Sequence, residues 1–290
     1  LLLEKGYEVH GILKRNSVAE NQTARLDGVF KDLNLEYADM TDMASLIRVL
    51  QLVKPHEVYN LAAQSHVRIS FDQPIYTSQV VGLGALNLLE AVRLTDSNIK
   101  VYQASSSEMF GNSTDEDGCA KVYAYNISCN YRNSYDMYIS NGILFNHESP
   151  RRGTNFVTNK VVKEAVKIKY GLSDKLTLGN LDATRDWGHA KDYVRAMVMI
   201  LDQDTPNDFV CATGVSHSVR ELCEYTFNSL DLDYNDFVGV DKKFYRPEEL
   251  VHLKGDSSKL KSIGFKAEYT FETMLDEMIN HWLEFYNKWS

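Results

Sequence analysis

The feature that most constrains this chain is its first half, where short apolar stretches alternate with helical patterns. Tyr7–Leu13, Leu35–Met40, Glu57–Ala63, Ile99–Ser105 and Gly142–Asn146 read as strands. Between them, Met43–Val53, Ser78–Arg93 and Ala120–Tyr135 carry apolar residues at helical spacing. Strand, helix, strand in such succession specifies right-handed βαβ crossovers and a parallel sheet. The expected class is therefore α/β, a doubly wound parallel sheet of Rossmann type with a smaller C-terminal lobe. Leu1-Leu2-Leu3, a charged pair and then Gly6 read as the end of a helix with a glycine C-cap.

After Pro150 the character changes. The helix expected over Thr158–Tyr170 has Val161, Val162, Ala165 and Val166 on its apolar side, with Lys160, Lys163 and Lys167 in a row beside it. Glu164 stands where it can pair with Lys160. Ser218-Val-Arg-Glu221 has capping-box spacing. The last helix shows Phe271, Met274, Leu275, Met278, Ile279 and Trp282 at core spacing. The expected division is residues 1–149 plus 183–215 as a dinucleotide-binding domain, with 150–182 plus 216–290 as a substrate lobe.

Composition removes several function classes. A net charge of -9 over 290 residues argues against nucleic acid as a partner. No run of eighteen apolar residues occurs, so no membrane span is expected, nor is a signal peptide. Four cysteines, Cys119, Cys129, Cys211 and Cys223, show neither a CxxC pair nor metal-ligand spacing. A reduced, cytoplasmic protein without a metal site is the expectation.

Polar residues collect where the strands end, and there open α/β sheets bind ligands. Lys14-Arg15-Asn16-Ser17 follows the first strand. It has no acid to hold an NAD ribose, so NADP is favoured if a dinucleotide binds. Asp39 and Met40 close the next strand, and Leu61-Ala62-Ala63-Gln64-Ser65 the one after. In Ala104-Ser105-Ser106-Ser107-Glu108, a hydroxyl and a carboxylate two residues apart suit the polarisation of a carbinol and the removal of a proton. A serine-rich turn capping the next helix fits the same residues. Asn141 to Gly153 ends a strand in His147, Glu148, Arg151 and Arg152, and paired arginines suggest an anionic ligand.

Four stretches together resemble the GDP-mannose 4,6-dehydratases, a family of extended short-chain dehydrogenase/reductases. They are Asn-Leu-Ala-Ala-Gln-Ser-His-Val at 60–67, the 141–153 run, Leu-Gly-Asn-Leu-Asp-Ala-Thr-Arg-Asp-Trp-Gly-His-Ala-Lys-Asp-Tyr at 178–193, and Arg-Pro-Glu-Glu at 246–249. The resemblance runs from residue 1 to the C-terminus. It implies Ser106, Glu108 and Lys121 as catalytic residues, with Lys121 the lysine of the Tyr-x-x-x-Lys pair. It implies Arg15, Asn16, Ser17, Asp39, Met40, Leu61, Ala62, Ala63, Gln64, Ser65, Tyr76, Lys121, His147 and Arg152 as NADP contacts. For the GDP portion of GDP-mannose it implies Ser65, Asn146, Arg151, Lys160, Asn180, Arg185, Arg246 and Glu249. A homodimer or homotetramer is implied as well. Another nucleotide sugar, acted on by a dehydratase or epimerase, and a non-catalytic sugar-nucleotide binder are the alternatives.

Two departures from the family stand out. No G-x-G-x-x-G occurs, the nearest approach being Gly82-Leu83-Gly84 inside a helical pattern. Four positions before Lys121 stands Asp117 rather than tyrosine. A carboxylate beside a lysine ionises at about pH 4 or lower, far from what a proton shuttle near neutrality needs. Either the chain is a degenerate relative, or about twenty residues before Leu1 and a loop near Asp117 are absent from the sequence. The second account expects a break between Gly118 and Cys119.

Overall fold

The computed structural model describes residues 1–15, 26, 28–64, 67–110, 116–244 and 253–288, without the side chains of 67–69, 116 and 117. The chain divides into two compact units, residues 1–143 with 197–209, and residues 144–196 with 210–290.

In the first unit, β1 (His10–Leu13) and β2 (Asn34–Tyr37) form a parallel pair with His10 opposite Asn34. A four-stranded sheet has the order β10-β5-β4-β3, from Asp208–Cys211, Ile139–Leu144, Lys100–Ser106 and Glu57–Asn60. β3 and β4 are parallel, with Asn60 opposite Gln103. The α/β class stands, with βαβ order through the helices Met43–Val53 and Pro74–Thr95.

Local chemistry sets the helix ends. The Asp42 carboxylate accepts from Ser45 N at 3.3 Å to open Met43–Val53, and Lys54 closes it in the left-handed region. Leu46, Val49 and Leu50 then share the buried face. At Gly6, φ is +82°, Gly6 N donates to Leu3 O and Tyr7 N to Leu2 O. This paired closure is a Schellman ending, which needs a residue without Cβ strain.

Pro74–Thr95 has 22 residues and contains an 18-residue window of mean hydropathy 1.2, enough by length and composition to cross a bilayer. Its buried Val80, Val81, Ala85, Leu88, Leu89 and Val92 place it as a core helix of the first unit. Ser78–Leu83 is π-helical. Of the two glycines of this stretch, Gly84 serves packing: a Cβ there would lie 2.8 Å from the Met40 Cβ.

Helix Glu116–Tyr135 runs continuously through Gly118 and Cys119. The break expected between these two residues is not there. The helix also begins one turn earlier than the pattern indicated, since an interior glycine costs only about 1 kcal/mol.

The second unit is built on the helices Val157–Lys169, Val219–Asn228 and Phe271–Asn287. Val161, Val162, Val166, Leu222, Phe227 and Trp282 are among its core residues. The capping box expected from Ser218 to Glu221 is formed in both directions. Here the unit boundaries differ from the expected ones, because segments 144–149, 183–196 and 210–215 belong to the second unit. Hydrogen bonding gives the reason. β6 (Asn146–Glu148) pairs in parallel with β9 (Trp187–His189), and buried Asp186 accepts from Thr213 N, Gly214 N and Gly255 N. The chain passes between the units inside β5, β10 and the helix Ala190–Leu201.

Candidate active site

Residues from the sequence reading stand at the carboxyl ends of strands in the first unit. Lys14 follows β1, Asp39 follows β2, Leu61 follows β3, and Ser106 ends β4. In parallel α/β sheets the ligand crevice lies at these ends, so the placement follows from topology.

Two of these residues meet, joined by Tyr76. Lys14 Nζ donates to the Tyr76 hydroxyl at 2.8 Å and pairs with Asp39 at 3.4 Å. Burial opposes ionisation of Asp39, but hydrogen bonds from the Thr41 amide and hydroxyl, with Lys14 beside it, outweigh that and hold the carboxyl below its usual range. The bond to Tyr76 raises the Lys14 ammonium. Lys14, part of the stretch that favours NADP, thus stands between Asp39 and Tyr76. Exposed Arg15 follows it. Met40 O accepts from Asn87 Nδ2 at 2.8 Å. The loop after β3 is fixed by Asn60, which accepts from Ala62 N and donates to buried Gln103. Leu61 and Ala62 are exposed there, while Ala63 and Gln64 are half-buried.

At the end of β4, Lys121 is buried, 7 % exposed, and donates to Ala104 O at 3.0 Å. Ser106, two residues further along the same strand, accepts the Glu108 amide at 3.2 Å and opens the short turn Ser107–Met109. The serine-rich turn thus forms at the strand end itself, through the Glu108 amide. Asp117 lies one helical turn before Lys121.

In the second unit, Asn146 and His147 lie on β6. His147 Nδ1 is 3.0 Å from Phe145 O, and the ring stacks on Tyr193 with centroids 5.1 Å apart. A carbonyl partner assigns the proton to Nδ1 and leaves Nε2 as the acceptor nitrogen. Exposed Arg151 has its amide bound to Ser149 Oγ at 3.2 Å. Arg152 lies over the Phe156 ring, 3.6 Å from its centroid, with Nε 3.3 Å from the Glu148 carboxylate.

The remaining predicted residues sit on separate segments. Lys160 donates to Thr177 O at 2.8 Å and lies 4.9 Å from the Phe244 ring centroid. Burial lowers its pKa, with Glu164 opposing. The ion pair expected between Lys160 and Glu164 gives way to Lys167, 3.1 Å from both Glu164 oxygens. Lys163 sits over the Trp282 ring, so the lysine row is occupied rather than simply solvated. Asn180 accepts from Asp182 N at 3.0 Å, and Arg185 donates to its neighbour Thr184 O at 2.8 Å. Asn16, Ser17, Ser65, Arg246 and Glu249 lie outside the described residues.

Desolvation pushes the Cys211 and Cys223 thiols up to about 12, which keeps them protonated and unreactive near neutrality. Among the described residues, no three His, Cys, Asp or Glu side chains gather as a metal site.

Cations and hydrogen-bonding groups at the strand ends, with buried Lys121 on Ala104 O, have the chemistry to hold a dinucleotide. The glycine turn that would cradle its pyrophosphate is not among these 290 residues.

A profile of the family described as GDP-mannose 4,6 dehydratase matches residues 1–278. GDP-mannose 4,6 dehydratase 1 of Arabidopsis thaliana is 46% identical over a 308-residue alignment that covers 98% of this chain and 85% of the relative. The Homo sapiens GDP-mannose 4,6 dehydratase is 43% identical, with 96% and 86% covered. These alignments are longer than the chain, so the relatives carry internal residues that it lacks. Among solved structures, RMD from Pseudomonas aeruginosa complexed with NADPH superposes with a TM-score of 0.79 at 21% identity, covering 95% of this chain and 98% of that one. At that identity the likeness concerns the fold alone.

Proposed function

This chain belongs to the GDP-mannose 4,6-dehydratase family, and on that premise we propose that it converts GDP-mannose to GDP-4-keto-6-deoxymannose with NADP as cofactor. The observation that carries this reading is the gathering of Ser106, Glu108 and Lys121 at the end of β4.

When bound, NADP⁺ supplies a reversible two-electron acceptor, filled at C4 of the sugar and emptied at C6. The Ser106 hydroxyl hydrogen-bonds the C4 oxygen, whose proton passes to solvent water as the hydride leaves C4. A ketone at C4 acidifies the C5 proton, and Glu108 is the base that removes it. That same proton goes to the hydroxyl leaving from C6 as water, so one carboxylate serves both halves of the elimination, and a proton drawn from solvent returns to C5 as C6 is reduced. Lys121 holds a positive charge at the strand end, which favours oxyanion character at C4 and binds the ribose of the cofactor. His147 and Arg152 complete the cofactor contacts, and Asn146, Arg151, Lys160, Asn180 and Arg185 hold the GDP portion. Arg246 and Glu249 join them by the same family correspondence.

One observation favours a second reading. Asp117 stands where the family has its tyrosine, inside an unbroken helix. On this second reading the protein binds the nucleotide sugar without turning it over.

Incubation with GDP-mannose and NADP⁺, followed by mass spectrometry of the nucleotide sugar, separates the two. Loss of one water supports the dehydratase. Unchanged GDP-mannose, from folded protein that binds it, supports the binder.

A homodimer or homotetramer is part of the same proposal, supported by exposed Ile75, Leu83 and Leu94 on the helix Pro74–Thr95. Light scattering on the purified protein tests it. A cytoplasmic location is proposed as well, supported by the four free cysteines, and cell fractionation checks it.

A further inference from the structure

Glu148 is 1 % exposed, and neither the proposed chemistry nor the family correspondence uses it. It lies between His147 and the loop bearing Arg151 and Arg152. Its carboxylate accepts from Thr158 Oγ1 at 2.5 Å and sits 3.3 Å from Arg152 Nε, off the line of a hydrogen bond. The tie to Arg152 is therefore ionic, with Nε buried and held to the carboxylate by charge rather than by a hydrogen bond.

The backbone of the same arginine is pinned independently. Asn159 Nδ2 donates to Arg152 O at 2.5 Å, and Trp282 Nε1 donates to Asn159 Oδ1 at 2.7 Å. Phe156 covers one face of the guanidinium. Asn159 is buried, 1 % exposed, so this chain of contacts ties the arginine loop to the C-terminal helix through the core.

We infer that Glu148 is a positioning residue, which sets the guanidinium of Arg152 for an anionic group of the dinucleotide. The inference rests on the reading of Arg152 as a cofactor contact. A buried carboxylate is a costly scaffold where only packing is needed, since an apolar residue of similar volume does as well or better. Its use beside an arginine that Phe156 and Asn159 also hold makes sense where direction matters. A shift of about 1 Å in a ligand-binding group is enough to cost a large factor in binding or rate.

The test is NADP⁺ titration by calorimetry on the full chain, with thermal melts in parallel, for wild type, Glu148→Gln, Arg152→Met and the double variant. Glu148→Gln keeps an acceptor for Thr158 and removes the charge. The expected result is about tenfold weaker NADP⁺ binding in either single variant, with no further loss in the double, the non-additivity of two groups acting as one. Normal NADP⁺ affinity in Glu148→Gln, with weakened binding in Arg152→Met, overturns the inference and leaves the cofactor reading standing. Normal affinity in Arg152→Met, or a wild-type protein that takes up no NADP⁺, removes the cofactor reading and the inference with it. Should Glu148→Gln fail to fold, Thr158→Val decides: binding weakened about threefold in folded protein supports the inference, and unchanged binding overturns it.

Discussion

The two groups of functional residues are held in place by different means. At the end of β4, backbone does the work: Lys121 donates to Ala104 O, and the Glu108 amide donates back to Ser106. Around Asn146–Arg152, side chains do it: Glu148, Thr158, Asn159 and Trp282 link strand, loop and helices. Positions fixed by backbone tolerate a changed side chain with little loss of fold. Positions fixed by buried side chains couple binding to stability, because each removed partner leaves another polar group unsatisfied.

Glu108→Gln gives the sharpest view of the first case. Dehydration of GDP-mannose is expected to slow by about 10²–10⁴-fold, the usual contribution of a general base, while the melting temperature stays within about 2 °C. A parallel fall in both would place Glu108 with the side-chain-held group.

Asp186→Ala tests the second case. Its buried carboxylate accepts from the amides of Thr213, Gly214 and Gly255. Stranding those donors is expected to destabilise the protein by about 3 kcal/mol in urea unfolding. Activity per folded molecule should fall too, since Arg185 adjoins it.

A smaller effect belongs to Lys14→Met. Here the cation is more than half exposed, 55 % of its side chain, so its ion pair with Asp39 adds well under about 1 kcal/mol to stability. Weaker NADP⁺ binding, by about three- to tenfold in calorimetry, is expected at nearly unchanged unfolding midpoint.

The smallest expected effect is a pH slope. Buried His189 contacts Glu277 at 2.9 Å through Nε2, accepts Lys191 N at 3.0 Å through Nδ1, and stacks on Tyr269. Burial, with Lys191 adding to it, lowers its pKa below the usual 6.5 despite Glu277. The folded state thus resists a proton that the unfolded chain accepts. Stability contributed by neutral His189 is complete above that usual value and is lost as pH falls through the window towards the depressed one. Melts between about pH 7.5 and about pH 5.5 should show a steeper fall for wild type than for His189→Asn, by a few degrees. Equal slopes would show that His189 gains its proton equally in both states.

Legibility in the sequence followed the range of each interaction. Met43–Val53 was readable residue for residue because Asp42 and the left-handed Lys54 close it within one turn. The same holds for the box at Ser218 and the glycine ending at Gly6. The strand read as Leu35–Met40 stops at Tyr37, because the Asp39 carboxylate turns the chain through Thr41. The π-helical turn at Ser78–Leu83 left no periodic trace, since it arises within a continuous apolar helix. Glu148 escaped functional assignment because a charged residue in a polar loop exit looks solvated until its burial is known.

What the sequence determined alone is the α/β order, the helix ends and the row of polar residues at strand ends. These depend on periods of two and 3.6 residues and on caps that reach three or four positions along the chain. Only tertiary structure decided the partners: Lys160 with Thr177 rather than Glu164, Lys14 with Tyr76, and Trp282 with an asparagine 123 positions away. Each such choice depends on which buried groups the packed elements bring within about 3 Å, and a local pattern does not encode that distance.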